Sequence, residues 1–119
     1  MHMAIKREKI RNTDFTGIVT GRRLAPVHPG EVLLKEFVEP MGLTRYKVAK
    51  GTGVPQRRID EICSGSRGVT ADTALRLARF FGMEAQFWMN LQAHYDLEVA
   101  ERESRKRIER EVTPLKEAA

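Results

Sequence analysis

Residues 44–68 read TRYKVAKGTGVPQRRIDEICSGSRG. Two short helical patterns lie in this stretch, separated by a very tight turn. Thr44 has the side chain to cap the first, because its hydroxyl oxygen can accept from an amide in the opening turn. Ala49 is small, so a crossing helix can approach it closely. Gly53, four residues on, supplies the positive φ of the turn, and Val54 closes the turn against a core. Ile59 and Ile62 recur at helical spacing and bury the inner face of the second helix. Its outer face is then left with Gln56, Arg57, Asp60, Glu61 and Ser64, while Arg58 points more sideways. The spacing A-x-x-x-G-V-x-x-x-x-I-x-x-I predicts a helix-turn-helix, which presents its second helix outward.

The outward residues have the chemistry of DNA readers. Gln56 and Arg57 stand at the N-terminal end of the second helix, from which side chains reach base edges in a major groove. Gln bonds adenine bidentately and Arg bonds guanine. Asp60, one turn on, has two roles open to it: accepting from a cytosine amine, or orienting Arg57 through an ion pair. Thr44 and Arg45 at the first helix's N-terminus are phosphate contacts, helped by the helix dipole. Lys47 and Arg67 are further phosphate candidates. Asp60 and Glu61 also fit a different use, a protein-interaction module that has lost DNA binding.

Working outward, His28-Pro29-Gly30-Glu31 opens an earlier helix, with Pro29 in the first turn and Val32, Leu33, Phe37 and Val38 as its apolar face. Gly42 ends it. Thr70 caps a further helix over 71–81, with Ala71, Ala74, Leu75, Ala78 and Phe81 as its expected apolar set and Gly82 after it. A fifth helix runs from about Glu84 beyond Leu97. Its stripe of Phe87, Trp88, Leu91 and Tyr95 is core, with Trp88, Leu91 and Tyr95 also expected to meet a second copy. After Ala100 the pattern becomes ERESRKRIEREV, a solvated helical tail with Glu98/Arg102, Glu101/Arg105 and Glu103/Arg107 as i,i+4 pairs. Thr113-Pro114 stops it. The expected architecture is all-α: a compact five-helix domain over 28–98, a flexible basic arm over 1–27 and a charged extension over 99–119.

The chain has 119 residues, so it holds one domain rather than two. Its net charge of +5 is uneven. Six basic and two acidic residues fall in 1–27, and the same numbers fall in 44–69; the tail 97–119 balances at six of each. A basic excess concentrated on the helix-turn-helix suits a polyphosphate partner. There is one cysteine, so an intrachain disulfide is excluded. Cys63 is expected to be half-buried and inert, with only Arg67 near it. No apolar run reaches the length of a membrane span and no secretory leader is visible, which points to the cytoplasm. No His, Cys, Asp or Glu grouping has metal-ligand spacing, and no serine has an evident base partner. No cofactor, metal or catalytic residue is therefore expected.

Three segments together, HPGEVLLKEFVEPMGLT, KVAKGTGVPQRRIDEICSGSRGVTADTALRLARFFG and FWMNLQAHYDL, resemble the HigA-type (VapI-like) antitoxins of the Xre-like helix-turn-helix class. The likeness covers roughly residues 22–98. It implies a dimer that neutralises a small mRNA-cleaving toxin encoded beside it. It also implies repression of the shared operon at a palindromic operator. The ribonuclease chemistry belongs to the toxin, so no catalytic residue carries over. Base reading maps onto Gln56, Arg57 and Asp60, and phosphate contact onto Thr44, Arg45 and Arg67. Arg45 stands where this class often has Gln, and Asp60 where it often has Asn. Related proteins also act as free-standing regulators without a toxin. The arm over 1–27 has three uses open to it: folding onto a toxin, touching DNA, or serving as a disordered leader.

Overall fold

His28 opens the fold by capping it. Its Nδ1 accepts from the amide of Gly30 at 2.9 Å, in front of helix α1 (Pro29–Val32). A computed structural model describes residues 25–118, so the arm expected over 1–27 lies almost wholly outside the described residues. From α1 the chain continues without a break as a π-helical stretch, Leu33–Val38. There the amide of Glu39 reaches back five residues to the Leu34 carbonyl. The wider turn sends Leu33, Phe37 and Val38 together into the core.

Helix α2 (Arg45–Thr52) begins at Thr44, whose Oγ1 accepts from the Lys47 amide at 3.0 Å. It ends at Gly53, which takes φ 76°. Helix α3 (Gln56–Ser64) follows three residues later, and α4 (Ala71–Phe81) is capped by Thr70. Helix α5 spans Ala85–Glu111, and a four-residue α6 (Leu115–Ala118) comes after Pro114. The described residues thus form an all-helical structure of five main helices without strands. The expected charged tail is helical as far as Glu111, as the continuation of α5, which passes position 98 unbroken.

The core draws on every main helix. Leu33, Phe37, Val48, Ile59, Ile62, Leu77 and Trp88 are its large members. Phe37 packs on Phe81 and Trp88 with ring centroids 4.9 and 5.2 Å apart. Such pairs add specific geometry to the apolar burial that drives folding. Val48, Ala49, Val54, Ile59 and Ile62 are all buried, as the motif spacing requires.

Three expectations are corrected. On α4, Ala74, Ala78 and Phe81 face the core as expected, but Thr73 and Leu77 are buried in place of Ala71 and Leu75, the latter 63% exposed. On α5, Trp88 and Leu91 are 0% and 4% exposed, spent entirely in the chain's own core, so they have no surface to offer a second copy. Tyr95, half-buried, stands edge-on to His28 at 4.8 Å. Along the tail, Glu98 and Glu101 pair with Arg102 and Arg105 as expected, but Arg107 pairs forward with Glu111 at 3.8 Å.

Candidate nucleic-acid interface

The turn between α2 and α3 is held from several sides. Thr52 is buried, and its hydroxyl donates to the Val48 carbonyl at 2.7 Å and accepts from the Val54 amide at 3.3 Å. Arg76 on α4 donates from Nη1 to the Thr52 carbonyl at 3.0 Å, satisfying an acceptor that the helix end leaves open. Gly51 is not merely a weak helix residue. A Cβ there would overlap the Phe80 ring, so the missing side chain lets α4 lie against α2.

The far end of α3 is fixed as firmly. A Cβ on Gly30 would overlap the Ile62 carbonyl oxygen, so α1 crosses α3 at backbone contact. The loop beyond α3 is tied to α5 by a 2.7 Å bond from the Val69 amide to Gln92 Oε1. Recognition elements gain precision when rigid neighbours hold them.

On this frame the outer face of α3 and the start of α2 lie side by side. Thr44, Arg45, Lys47, Gln56, Arg57, Arg58 and Arg67 are all exposed. Thr44 uses its oxygen as a cap acceptor, which leaves its hydroxyl proton able to donate outward. Asp60 does not orient Arg57. Its Oδ1 lies 3.7 Å from Arg45 Nε, across the two helices of the motif. Arg57 pairs instead with Glu61, at 3.3 Å, and the same carboxylate accepts from Arg67 at 2.7 Å. The Arg67 hydrogen bond is the main reason the Glu61 carboxyl is held below its usual range. Glu61 is the member of the site that the sequence understated. Its spacing to Arg57 is visible as i,i+4, but its contact with Arg67 exists only because Gly65, at φ 87°, folds the loop back.

Cys63 sits half-buried beside this face. Burial pushes its thiol up, against a smaller opposing effect of Arg45. The neighbour expected from the sequence was Arg67; the charged groups that act on the thiol are Arg45 and Asp60. Among the described residues no cluster of three or more His, Cys, Asp or Glu could hold a metal. No described helix is long and apolar enough to cross a membrane.

Five helices with a tightly turned α2–α3 pair and a basic outer face define a helix-turn-helix protein of the DNA-binding class. The Helix-turn-helix family profile matches residues 34–88. Virulence-associated protein I of Dichelobacter nodosus is 49% identical over 87 residues, covering 72% of this chain and 81% of that relative. A HigA-family addiction module antidote protein from Coxiella burnetii has a solved structure with TM-score 0.72 and 46% identity. The match covers 76% of this chain and 99% of that one. The antitoxin HigA of Pseudomonas aeruginosa, solved with the higBA promoter, gives TM-score 0.74 and 41% identity over 76% of this chain and 98% of that one. The chain belongs to the HigA-type antitoxin family of helix-turn-helix proteins. This is a family of DNA-binding antitoxins and regulators, not of enzymes.

Proposed function

We propose that this chain is an antitoxin that neutralises a small mRNA-cleaving toxin and represses its own operon, acting in the cytoplasm as a homodimer on a palindromic operator. One observation carries the DNA half. The exposed basic face of α2 and α3 occurs on a chain 41% identical to an antitoxin solved on its promoter. Gln56 and Arg57 read base edges in the major groove, and Asp60 faces the same bases one turn on. Thr44, Arg45, Lys47 and Arg67 contact phosphates on either side and set the register. Two recognition helices of a symmetric dimer enter successive major grooves about 34 Å apart.

The pairing surface we propose is the outer face of α5, opposite Trp88. Leu97 and Ile108 are exposed there, with Ala100 and Ser104 between them on the same stripe. Residues 96–103 carry four acids and one arginine, and residues 105–110 carry four bases and one acid. An antiparallel second copy therefore sets each acidic half against a basic half. Family membership supports the toxin half. Co-expression with the gene product encoded alongside tests it: the two are expected to co-purify and the toxicity of the partner to disappear. Growth arrest that persists despite equal expression contradicts the antitoxin role.

A further inference from the structure

Glu61 stands between the two arginines that matter most on the outward face, and one carboxylate serves both. Oε1 accepts from Arg67 Nε at 2.7 Å, and Oε2 accepts from Arg57 Nε at 3.3 Å. Both hydrogen bonds use Nε. The terminal nitrogens of each guanidinium, which make bidentate contacts with guanine or phosphate, are not used in either bond. The arginines are well exposed, at 89% and 50% of their side chains, while Glu61 is the more enclosed at 29%. The backbone of Glu61 serves the same end by other atoms. Its carbonyl accepts from the Ser66 amide at 2.9 Å and from the hydroxyls of Ser64 and Ser66 at 3.1 and 3.2 Å. The loop that carries Arg67 is thus fastened to α3 whatever the carboxylate does.

Two consequences follow from that geometry. A long arginine free in solution must be ordered when it binds, and a partner already holding its Nε reduces that loss. A carboxylate on the DNA-facing side also repels phosphate. An approach that does not seat Arg57 on a base meets that repulsion without the base contact that would offset it. We infer that Glu61 is the positioning residue for sequence discrimination: it aims Arg57 at a base and Arg67 at a phosphate together, and it weakens binding that lacks this fit. The inference rests on the DNA-binding function proposed above.

The test compares wild type, Glu61→Gln and Glu61→Asp on a duplex from the upstream region of the gene and on a scrambled duplex, over a salt series. Glu61→Gln removes the charge and keeps the size. Its affinity for scrambled DNA is expected to rise while the preference for the upstream duplex falls about ten-fold or more, the scale of losing one well-seated base contact. Glu61→Asp keeps the charge but is too short to reach both arginines. It is expected to bind scrambled DNA as wild type does and the upstream duplex more weakly. Circular dichroism and thermal melting establish that each variant is folded, which the main-chain bonds of Glu61 favour. If Glu61→Gln strengthens both duplexes by one factor, or leaves the preference unchanged, Glu61 is only a surface charge and the inference fails. A wild type that shows no preference overturns the DNA-binding function itself, and that is visible before any variant is compared.

Discussion

Asp60 on α3 and Arg45 at the start of α2 form an ion pair at 3.7 Å, joining the two helices of the motif on the exposed face proposed to meet DNA. Both side chains are about half exposed. Pairs of that kind contribute little to stability, so Asp60→Ala is expected to change it by under about 1 kcal/mol in urea denaturation. The effect belongs in recognition. The variant releases Arg45 and removes the proposed base contact of Asp60, so discrimination at one base pair should change while the fold does not. A loss of several kcal/mol would mean that the pair is a structural strut.

Gly30 is the position where one methyl group does the most harm. Its Cβ would fall on the Ile62 carbonyl, and that atom is helix backbone that cannot rotate away. Gly30→Ala is expected to destabilise the domain by about 3 kcal/mol or more, at the upper end of overpacking effects. A chemical denaturation curve measures it. Near-neutral stability would show that α1 can lift off α3 at little cost.

His28 makes the fold sensitive to mild acid. Burial lowers its pKa below 6.5, against the opposing pull of the Asp96 and Glu31 carboxylates. Its Nδ1 must also stay unprotonated to accept from Gly30. The folded chain therefore keeps His28 neutral, while the unfolded chain protonates it near 6.5. The contribution is complete above that value and is lost as pH falls through it toward the lowered folded pKa. Urea midpoints should drop as the pH is lowered from about 7.5 through 6.5. His28→Asn keeps a cap acceptor and removes the titration, so the drop should shrink. An equally steep drop in His28→Asn assigns the sensitivity elsewhere.

Leu97 and Ile108 give the proposed dimer its surface. The double variant Leu97→Asp, Ile108→Asp should sediment as a monomer that keeps the helical circular dichroism of the folded body, because neither side chain belongs to the core. A dimer that survives both substitutions places the contact on another face.

Local chemistry was the legible part of the sequence. Thr44, Gly53, Thr70 and Gly82 announce their roles because a cap or a left-handed turn is decided within a few residues. The buried set Ala49, Val54, Ile59 and Ile62 was legible because a tight turn leaves one spacing that closes it. What depends on distant chain was not. Leu75 and Leu77 both fit an amphipathic helix, and only packing chooses the phase. Trp88 reads alike as core or as interface, since both bury an aromatic stripe. The contacts of Gly30 with Ile62 and of Gly51 with Phe80 join residues far apart in sequence. The Arg67–Glu61 pair depends on the turn at Gly65, which composition suggests without giving its direction.

The most direct measurement is titration of the protein onto its own upstream DNA and a scrambled control across a salt series, with Arg57→Ala alongside. Sequence-specific repression predicts a preference of about 10³-fold or more near physiological salt. It also predicts protection with two-fold symmetry. Arg57→Ala should lose roughly 1–3 kcal/mol on the upstream duplex and relax selection at one base position. Equal weak binding to both duplexes that vanishes near physiological salt, unchanged by Arg57→Ala, contradicts it.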